Sequence, residues 1–193
     1  SCSLVGSEMC IRDSYYTIKK FPHDTLGKQI IGFVHLPSKL HKKSQDRINE
    51  LSYLKGQIEG HNMKNIIVMG DFNADPFEEE LVTASSMHSL SDSRNVMKGT
   101  RIVQDRMYQM YYNPMWNLFG DGDGIPGTYY YSSAESTNYF WHIFDQVVIG
   151  SELIKNFELD RLNIITSVNG KELVNKRGIP NVSDHLPITF TIK

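Results

Sequence analysis

The segment NIIVMGDFN, residues 65–73, decides the fold of this chain. Its first five residues form a short apolar run that predicts a buried β-strand. Side chains alternate sides along an extended chain, so we expect Asp71 and Asn73 to share one face while Phe72 points into the core. A carboxylate and an amide in that arrangement can bind a hydrated cation, a water molecule or a phosphate oxygen. Groups that perform chemistry often lie where strands end on a rigid scaffold.

The residues before this strand predict a strand–helix–strand unit. Residues 28–36 read as a buried strand that Pro37 stops. Ser44 is the expected N-cap of a helix over residues 45–59, and Gly60 is its expected end. The apolar stripe of this helix, at helical spacing, consists of Ile48, Leu51, Leu54 and Ile58. Such a unit is typical of layered α/β proteins.

The rest of the chain predicts short elements within one domain, which we place at residues 14–193. We expect a short helix over 77–83 and a loop-rich segment over 85–127. Asn169-Gly170 predicts a tight hairpin turn. The predicted strands outside the central unit cover residues 15–18, 128–131, 144–149, 162–168 and 186–192.

Composition is that of an ordinary globular protein. The chain has 193 residues, enough for one domain with a core, and its net charge is -2. That charge argues against a long basic track for nucleic acid, but a bound cation could still attract a small phosphorylated substrate. No apolar run in the sequence is long enough to span a membrane. Cys2 and Cys10 are the only cysteines, so a disulfide framework is not expected.

The first thirteen residues, SCSLVGSEMCIRD, do not look like the start of a natural protein. They lack an initiator methionine, a strong periodicity and the layout of a signal peptide. We interpret them as a non-native peptide from a translated sequencing adapter, and the chain as a C-terminal fragment of a longer protein. The alternative is a natural, mobile N-terminus.

Three ordered motifs resemble those of the endonuclease/exonuclease/phosphatase superfamily, over about residues 28 to 193. They are IVMGDFN at 67–73, FDQV at 144–147 and SDHLP at 183–187, and FVHL at 33–36 is similar to an upstream strand of that family. The resemblance implies an α/β fold built as a two-sheet β-sandwich flanked by helices. It also implies metal-assisted hydrolysis of a phosphate ester, in which a water attacks phosphorus in line with the leaving oxygen.

The resemblance implies a role for each motif residue. Asp71 would align and deprotonate the water, and Asn73 would donate to a phosphate oxygen; the alternatives are a turn carboxylate and an Asx-turn residue. Asp184 would bind the metal, with help from Asp71, and His185 would contact the phosphate. Both could instead belong to a solvated turn. Asp145 would accept a hydrogen bond from His185, or else pair with a surface lysine at a strand edge.

Weaker candidates surround these motifs. His35 would donate to the phosphate or the leaving oxygen, unless it is a rim histidine bonded to backbone. Lys39 starts a basic cluster that could attract an anionic substrate, although a solvated surface run is the favoured interpretation. Asn117 is a possible substrate contact from the loop-rich segment. The same region carries many aromatic residues, which could stack a base or a sugar-like ring, although packing under the long loops is the favoured interpretation.

The chain departs from the family pattern in one respect. The family has an early strand ending in Asn, followed by a Glu that is its main metal ligand, and neither has a counterpart here. We therefore expect the fold to be incomplete at its N-terminal side. Because the candidate ligands are oxygens, the expected cation is Mg²⁺, with Mn²⁺ as a substitute.

The predicted function is divalent-metal-dependent hydrolysis of a phosphodiester or phosphomonoester. The alternative is a catalytically impaired fragment, or a non-catalytic module of the same fold that binds phosphate or protein. The substrate could be a nucleic acid, a nucleotide, a phospholipid or a sugar phosphate, and the sequence does not choose among them. We expect a monomer without stable membrane insertion.

Overall fold

The computed structural model describes residues 15–120, 122 and 124–193. The predicted non-native peptide, residues 1–13, lies outside them. The α-helices are α1 (Ser44–Gly60), α2 (Glu79–Val82) and α3 (Ser93–Val96). The strands are β1 (Tyr16–His23), β2 (Gly27–His35), β3 (Asn65–Asp71), β4 (Ser89–Leu90), β5 (Thr100–Val103), β6 (Arg106–Gln109), β7 (Tyr111–Tyr112), β8 (Tyr129–Tyr130), β9 (Trp141–His142), β10 (Asp145–Gly150), β11 (Phe157–Ile164), β12 (Ser167–Val168), β13 (Lys171–Glu172) and β14 (Ile188–Ile192). Two 3₁₀ segments cover Pro114–Leu118 and Ser151–Asn156.

A six-stranded sheet in the order β1-β2-β3-β10-β7-β4 forms the centre of the molecule. Strands β2 and β3 pair in parallel and are joined by α1, as the predicted strand–helix–strand unit requires. Strand β10 pairs with β3 in the antiparallel direction. The two strands that carry the first two motifs therefore lie side by side, although more than seventy residues separate Asp71 from Asp145 in sequence.

Both faces of this sheet are covered, which explains the continuous apolar run of β3. Ile66 and Val68 belong to a buried cluster that includes Leu54 and Ile58 of α1. Ile67 points to the other face, into a second cluster that includes Leu162 of β11. Strands β11 and β14 pair with each other and form the second sheet of the sandwich. The architecture is thus α/β, with a helix on one face of the main sheet and a small sheet on the other.

Helix α1 differs from its prediction at its start and along its buried side. The helix begins at Ser44, and Lys43 occupies the N-cap position without a side-chain hydrogen bond, so the predicted N-cap is wrong by one residue. The stripe Leu51, Leu54 and Ile58 is buried as expected, whereas Ile48 is half-buried. Arg47 and Lys55 are buried beside the stripe instead. Periodicity identified the apolar residues of this face, but it could not show that two cations share it.

Most predicted strands are present with shifted ends. The predicted strand over 162–168 is two strands, because β11 ends at Ile164 and β12 begins at Ser167. The hairpin turn at Asn169-Gly170 is confirmed: both residues have positive φ, 51° and 76°, between the paired strands β12 and β13. The loop-rich segment contains only short elements. Among the described residues, none of the helices combines the length and apolar character needed to cross a bilayer.

Gly70 is the residue that lets β3 approach β2 just before Asp71. Its φ is 135°, a conformation that residues with a side chain rarely adopt. A Cβ at this position would lie 2.0 Å from the carbonyl oxygen of Val34, far inside contact distance. Because that oxygen belongs to the backbone of the neighbouring strand, it cannot move aside without breaking the pairing of the two strands.

We therefore expect Gly70→Ala to lower the free energy of unfolding by more than about 2 kcal/mol, from the clash and the unfavourable φ together. Gly56→Ala is the control. Gly56 lies inside helix α1, and a Cβ there meets no atom within 4 Å. Urea unfolding of the two variants measures the difference. A Gly70→Ala protein as stable as the wild type would contradict this account of the strand approach.

Candidate functional site

Three strand ends meet at one edge of the central sheet. In the parallel register of β2 and β3, His35 pairs with Asp71. In the antiparallel register of β3 and β10, Asp145 pairs with the same Asp71. The three side chains therefore start from neighbouring backbone positions. The predicted convergence of widely separated residues is a direct result of these two registers.

Asp71 and Asn73 are joined by two hydrogen bonds. The backbone N–H of Asn73 donates to Oδ1 of Asp71 at 2.8 Å, and its side-chain Nδ2 donates to Oδ2 at 2.9 Å. Phe72 is fully buried, as expected. The geometry that unites the pair differs from the prediction, because β3 ends at Asp71 and Asn73 has a left-handed φ of 47°. A turn, rather than alternation along an extended strand, brings the amide over the carboxylate.

His185 lies against Asp145 in a histidine–carboxylate pair. Its Nδ1 is 2.7 Å from Oδ2 of Asp145 and donates to it, since the ionised carboxylate can only accept. Residues 182–184 form the bend that lets the segment before β14 turn toward the site. Thr128 holds the pair in place: its Oγ1 accepts from the backbone N–H of Asp145 at 3.1 Å, and its carbonyl accepts from Leu186 at 2.7 Å.

The remaining candidates lie around this core of the site at different distances. Nε2 of His35 is 3.6 Å from Oδ2 of Asp71, and the imidazole is largely exposed to solvent. Lys39 forms an ion pair with Glu78, and its Nζ lies 5.9 Å above the ring of Phe144. Asn117 donates instead to the carbonyl of Pro114 and to the hydroxyl of Tyr112. These bonds tie Asn117 to its own segment, and its predicted contact with substrate stays a prediction.

The electrostatics of the site couple its carboxylates to its imidazoles. Burial raises the pKa of Asp71, and Asp145 raises it further, while the N–H of Asn73 and the imidazoles of His185 and His35 act in the opposite direction. The hydrogen bond to Asp145 raises the pKa of His185 above its ordinary value, although burial opposes that shift. The charges of Asp71 and Asp184 raise the same pKa. The protonated form of His185 is therefore favoured beside these acids.

The oxygen donors suit one mode of magnesium binding. Among residues 15–120, 122 and 124–193, no three carboxylate, imidazole or thiolate side chains form a ready-made ligand cage. Mg²⁺ is commonly held by only one or two carboxylates, with water and substrate phosphate oxygens completing its shell. Asp184 is exposed on the bend, and its charge acts on both His185 and Tyr129. Asp184 and Asp71 therefore fit that mode but not an all-protein site.

A buried ion pair beneath the site was missed by sequence analysis. Arg47 of α1 is 2% exposed and pairs with the buried carboxylate of Glu80. Its Nη1 also donates to the carbonyl of Asn73 at 2.8 Å. This bond holds the backbone of the left-handed residue that orients Asp71. In sequence Arg47 is the last member of the basic cluster that starts at Lys39, and the favoured interpretation of that cluster, a solvated surface run, is wrong for Arg47. Nothing in the sequence connects it with residue 73.

A second histidine–carboxylate pair lies beside the first and was also missed. Nδ1 of His142 is 2.7 Å from Oδ2 of Asp75, and Oδ1 of Asp75 accepts from the backbone N–H of Ile143 at 2.8 Å. Asp75-Pro76 reads from sequence as a simple turn. Its partner is 67 residues away, so only the pairing of β3 with β10 could have revealed the contact.

Loss of one partner of the Arg47–Glu80 pair should strongly destabilise the chain. Arg47→Met leaves Glu80 buried without a counter-charge, which costs about 3–5 kcal/mol. The double variant Arg47→Met with Glu80→Leu removes both charges, and we expect it to recover most of that loss. Urea unfolding distinguishes the two. If the double variant were no more stable than Arg47→Met alone, the unpaired charge of Glu80 would not be the reason for the loss of stability.

The hydrogen bond between His185 and Asp145 predicts how the stability of the fold changes with pH. Because the folded chain raises the pKa of His185, the pair stabilises the fold fully below about pH 6.5, and the stabilisation is lost as pH rises through the raised value. NMR titration of the ring should give a lower pKa for His185 in Asp145→Asn than in the wild type. Equal titration of His185 in the two proteins would contradict the assignment.

Comparison with known proteins identifies the fold through structure alone. No family model matches the sequence, and no curated protein sequence matches it. Among solved structures, ANGEL2, a 2′,3′-cyclic phosphatase, matches with a TM-score of 0.50 at 14% identity, over 92% of this chain and 67% of ANGEL2. An endonuclease/exonuclease/phosphatase family protein from Bacteroides thetaiotaomicron matches with a TM-score of 0.49 at 15% identity, over 86% of this chain and 51% of that protein.

The catalytic domain of Xenopus laevis APE2 is a further match, with a TM-score of 0.47 at 14% identity, over 92% of this chain and 54% of that domain. The chain thus spans about half the length of several of the solved structures that it matches. Identities this low establish a shared architecture and leave the activity open. The match to ANGEL2 shows that the chain shares its fold.

Proposed function

We propose that this chain carries the phosphate-binding and proton-transfer side of a divalent-metal-dependent phosphoesterase. The observation that supports this most directly is the meeting of Asp71, Asn73, Asp145 and His185 at one sheet edge, with His35 beside them. Two carboxylates and two imidazoles supply an acceptor for a water proton and donors for phosphate oxygens. Both side-chain N–H groups of Asn73 are occupied, one by Asp71 and one by the carbonyl of Leu36 at 2.8 Å, so Asn73 positions the carboxylate in this proposal and does not donate to the phosphate. The fold shared with known phosphoesterases agrees with such a reaction.

In the proposed reaction, Asp71 orients the attacking water and accepts its proton. Its two hydrogen bonds from Asn73 hold the carboxylate in one orientation, and each oxygen keeps a lone pair for the water. Burial raises the pKa of Asp71, which makes the carboxylate a stronger base than an exposed aspartate. The new bond joins the water oxygen to phosphorus, and the bond from phosphorus to the leaving oxygen breaks.

His185 binds the phosphate oxygens through Nε2–H. Asp145 accepts from Nδ1–H, so the other ring nitrogen is directed away from that carboxylate, and the hydrogen bond to Asp145 raises the pKa of the ring, which favours its protonated form. Donors placed where negative charge grows lower the barrier of such reactions. His35, exposed at the rim, is the proposed donor of the proton that the leaving oxygen takes up.

A magnesium ion held by Asp184, with Asp71, would neutralise phosphate charge as a Lewis acid. The remaining ligands would come from water and the substrate, as the donor set requires. The alternative function, a module that binds phosphate or protein without turnover, uses the same residues. It differs in predicting that no metal condition produces hydrolysis.

The test is a panel of phosphodiesters and phosphomonoesters assayed with Mg²⁺ or Mn²⁺. It uses the 193-residue chain. We expect turnover with a divalent cation and its loss on chelation. No turnover under any metal condition, with phosphate binding retained, would favour the non-catalytic module.

In the active form, Asp71→Ala should reduce kcat by about 10²–10⁴-fold, the usual contribution of a general base. His185→Ala should reduce it by about 10²–10³-fold, the loss typical of one donor to the transition state. The controls are Asp160→Ala and His61→Ala, which alter exposed residues of the same types. Thermal unfolding shows whether each variant is folded. Full activity of both site variants on every substrate would contradict the assignment.

A further inference from the structure

The orientation of Asp71 depends on a residue with a strained backbone. Asn73 has a φ of 47°, in the left-handed region that residues with a side chain seldom occupy. Its backbone N–H and its amide both donate to the carboxylate of Asp71, so the turn at Asn73 decides where that carboxylate points. Strained residues persist only where their surroundings fix them, and they cluster at functional sites. The contacts that hold this turn therefore matter to the site.

Two contacts hold Asn73 from outside its own turn. One comes from the end of β2, where the carbonyl of Leu36 accepts from Nδ2 of Asn73 at 2.8 Å. The other comes from helix α1, where Nη1 of Arg47 donates to the carbonyl of Asn73 at 2.8 Å. The first contact holds the side chain, whereas the second holds the backbone. Loss of Arg47 would release the carbonyl of Asn73 and leave only the contact with Leu36.

The guanidinium of Arg47 is itself held in one direction. Its Nη2 donates to the carboxylate of Glu80 in α2, and both side chains are almost fully buried. The third donor, Nε, has no partner in the part of the chain that the structure describes. Because a guanidinium is flat and rigid, the bond to Glu80 also sets the direction of Nη1. Glu80 thus directs Arg47 toward the carbonyl of Asn73, and burial strengthens both bonds.

We propose that Arg47 is a positioning residue for the hydrolysis, which acts through Asn73 to keep Asp71 in the orientation that the attacking water needs. This inference rests on the proposed function for the role of Asp71. The alternative is that the pair of Arg47 with Glu80 contributes to stability alone. Apolar side chains can replace a buried ion pair without loss of stability, so the two roles can be separated by experiment.

The double variant Arg47→Met with Glu80→Leu is the main test. We expect it to keep most of the wild-type stability while it loses the bond to Asn73. Its kcat should fall by about tenfold to 10²-fold, because small displacements of a reacting group lower rates by such factors. Its KM should stay unchanged, since Arg47 is buried and contacts no substrate in the proposed reaction. A pair that serves stability alone would leave both constants unchanged in the folded variant.

Arg47→Lys is the second variant, for the case that the double variant does not fold. It keeps a positive charge beside Glu80 but lacks the flat guanidinium that directs two donors at once. We expect it to lower kcat at unchanged KM as well. Thermal unfolding shows whether each variant is folded at the assay temperature.

A second readout does not depend on turnover. The backbone N–H of Asn73 donates to Oδ1 of Asp71, so its NMR resonance and its hydrogen exchange report on the turn directly. In both variants we expect this resonance to shift, and the amide to exchange at least about tenfold faster, because the turn opens locally.

Lys55→Met is the matched control. Lys55 is also a buried cation of α1, but it donates to the carbonyls of Ala84 and Gln109 instead. This variant should leave the Asn73 resonance, its exchange rate and kcat unchanged.

The outcomes separate this proposal from the proposed function. If the Asn73 amide responds as expected but no substrate is hydrolysed even by the wild type, the proposed function fails and the control of the turn by Arg47 stands. The positioning role is overturned if a folded Arg47 variant keeps the wild-type Asn73 resonance and exchange rate, or if it keeps the wild-type kcat. It is also overturned if Lys55→Met changes Asn73 as much as the Arg47 variants do.

Discussion

The candidate site depends on the pairing of β3 with both of its neighbours. One register sets His35 beside Asp71 and the other sets Asp145 beside the same residue. Shifting either register by one residue would turn the side chains of a whole strand to the opposite face. Burial of β3 on both faces and the tight passage at Gly70 make such a shift costly. The constraints that specify the core of this sheet thus also specify the site.

A layer of buried polar contacts supports the site from below. Arg47 holds the carbonyl of Asn73, while Thr128 holds the start of β10. Asp75 and His142 repeat, next to the site, the pairing of Asp145 with His185. Each of these groups would be unfavourable in the interior on its own, since buried polar groups need partners. Because these groups hydrogen-bond to one another, they keep the loops at this edge of the sheet, and the side chains of the site, in fixed positions.

The sequence predicted this site because its residues lie in local patterns at strand ends. The apolar run before Asp71 and the motif around His185 each identify a strand and its end without any knowledge of distant contacts. The same reasoning offered a turn at Asp71 and Asn73 only as the alternative to an extended strand. It could not show that Arg47, from another element, donates to the carbonyl of Asn73. Nor could it join Asp75 to a histidine on a remote segment. Local patterns predict elements, whereas tertiary pairing decides which polar groups meet.

We infer that these strand ends form one site for a phosphoryl group. Chemical-shift mapping of the isotope-labelled chain with inorganic phosphate, with and without MgCl₂, shows whether they do. We expect saturable shifts concentrated at Asp71, Asn73 and Asp145 and at the ring of His185, with larger shifts when magnesium is present. Shifts confined to other surfaces, or none at millimolar phosphate in either condition, would contradict it.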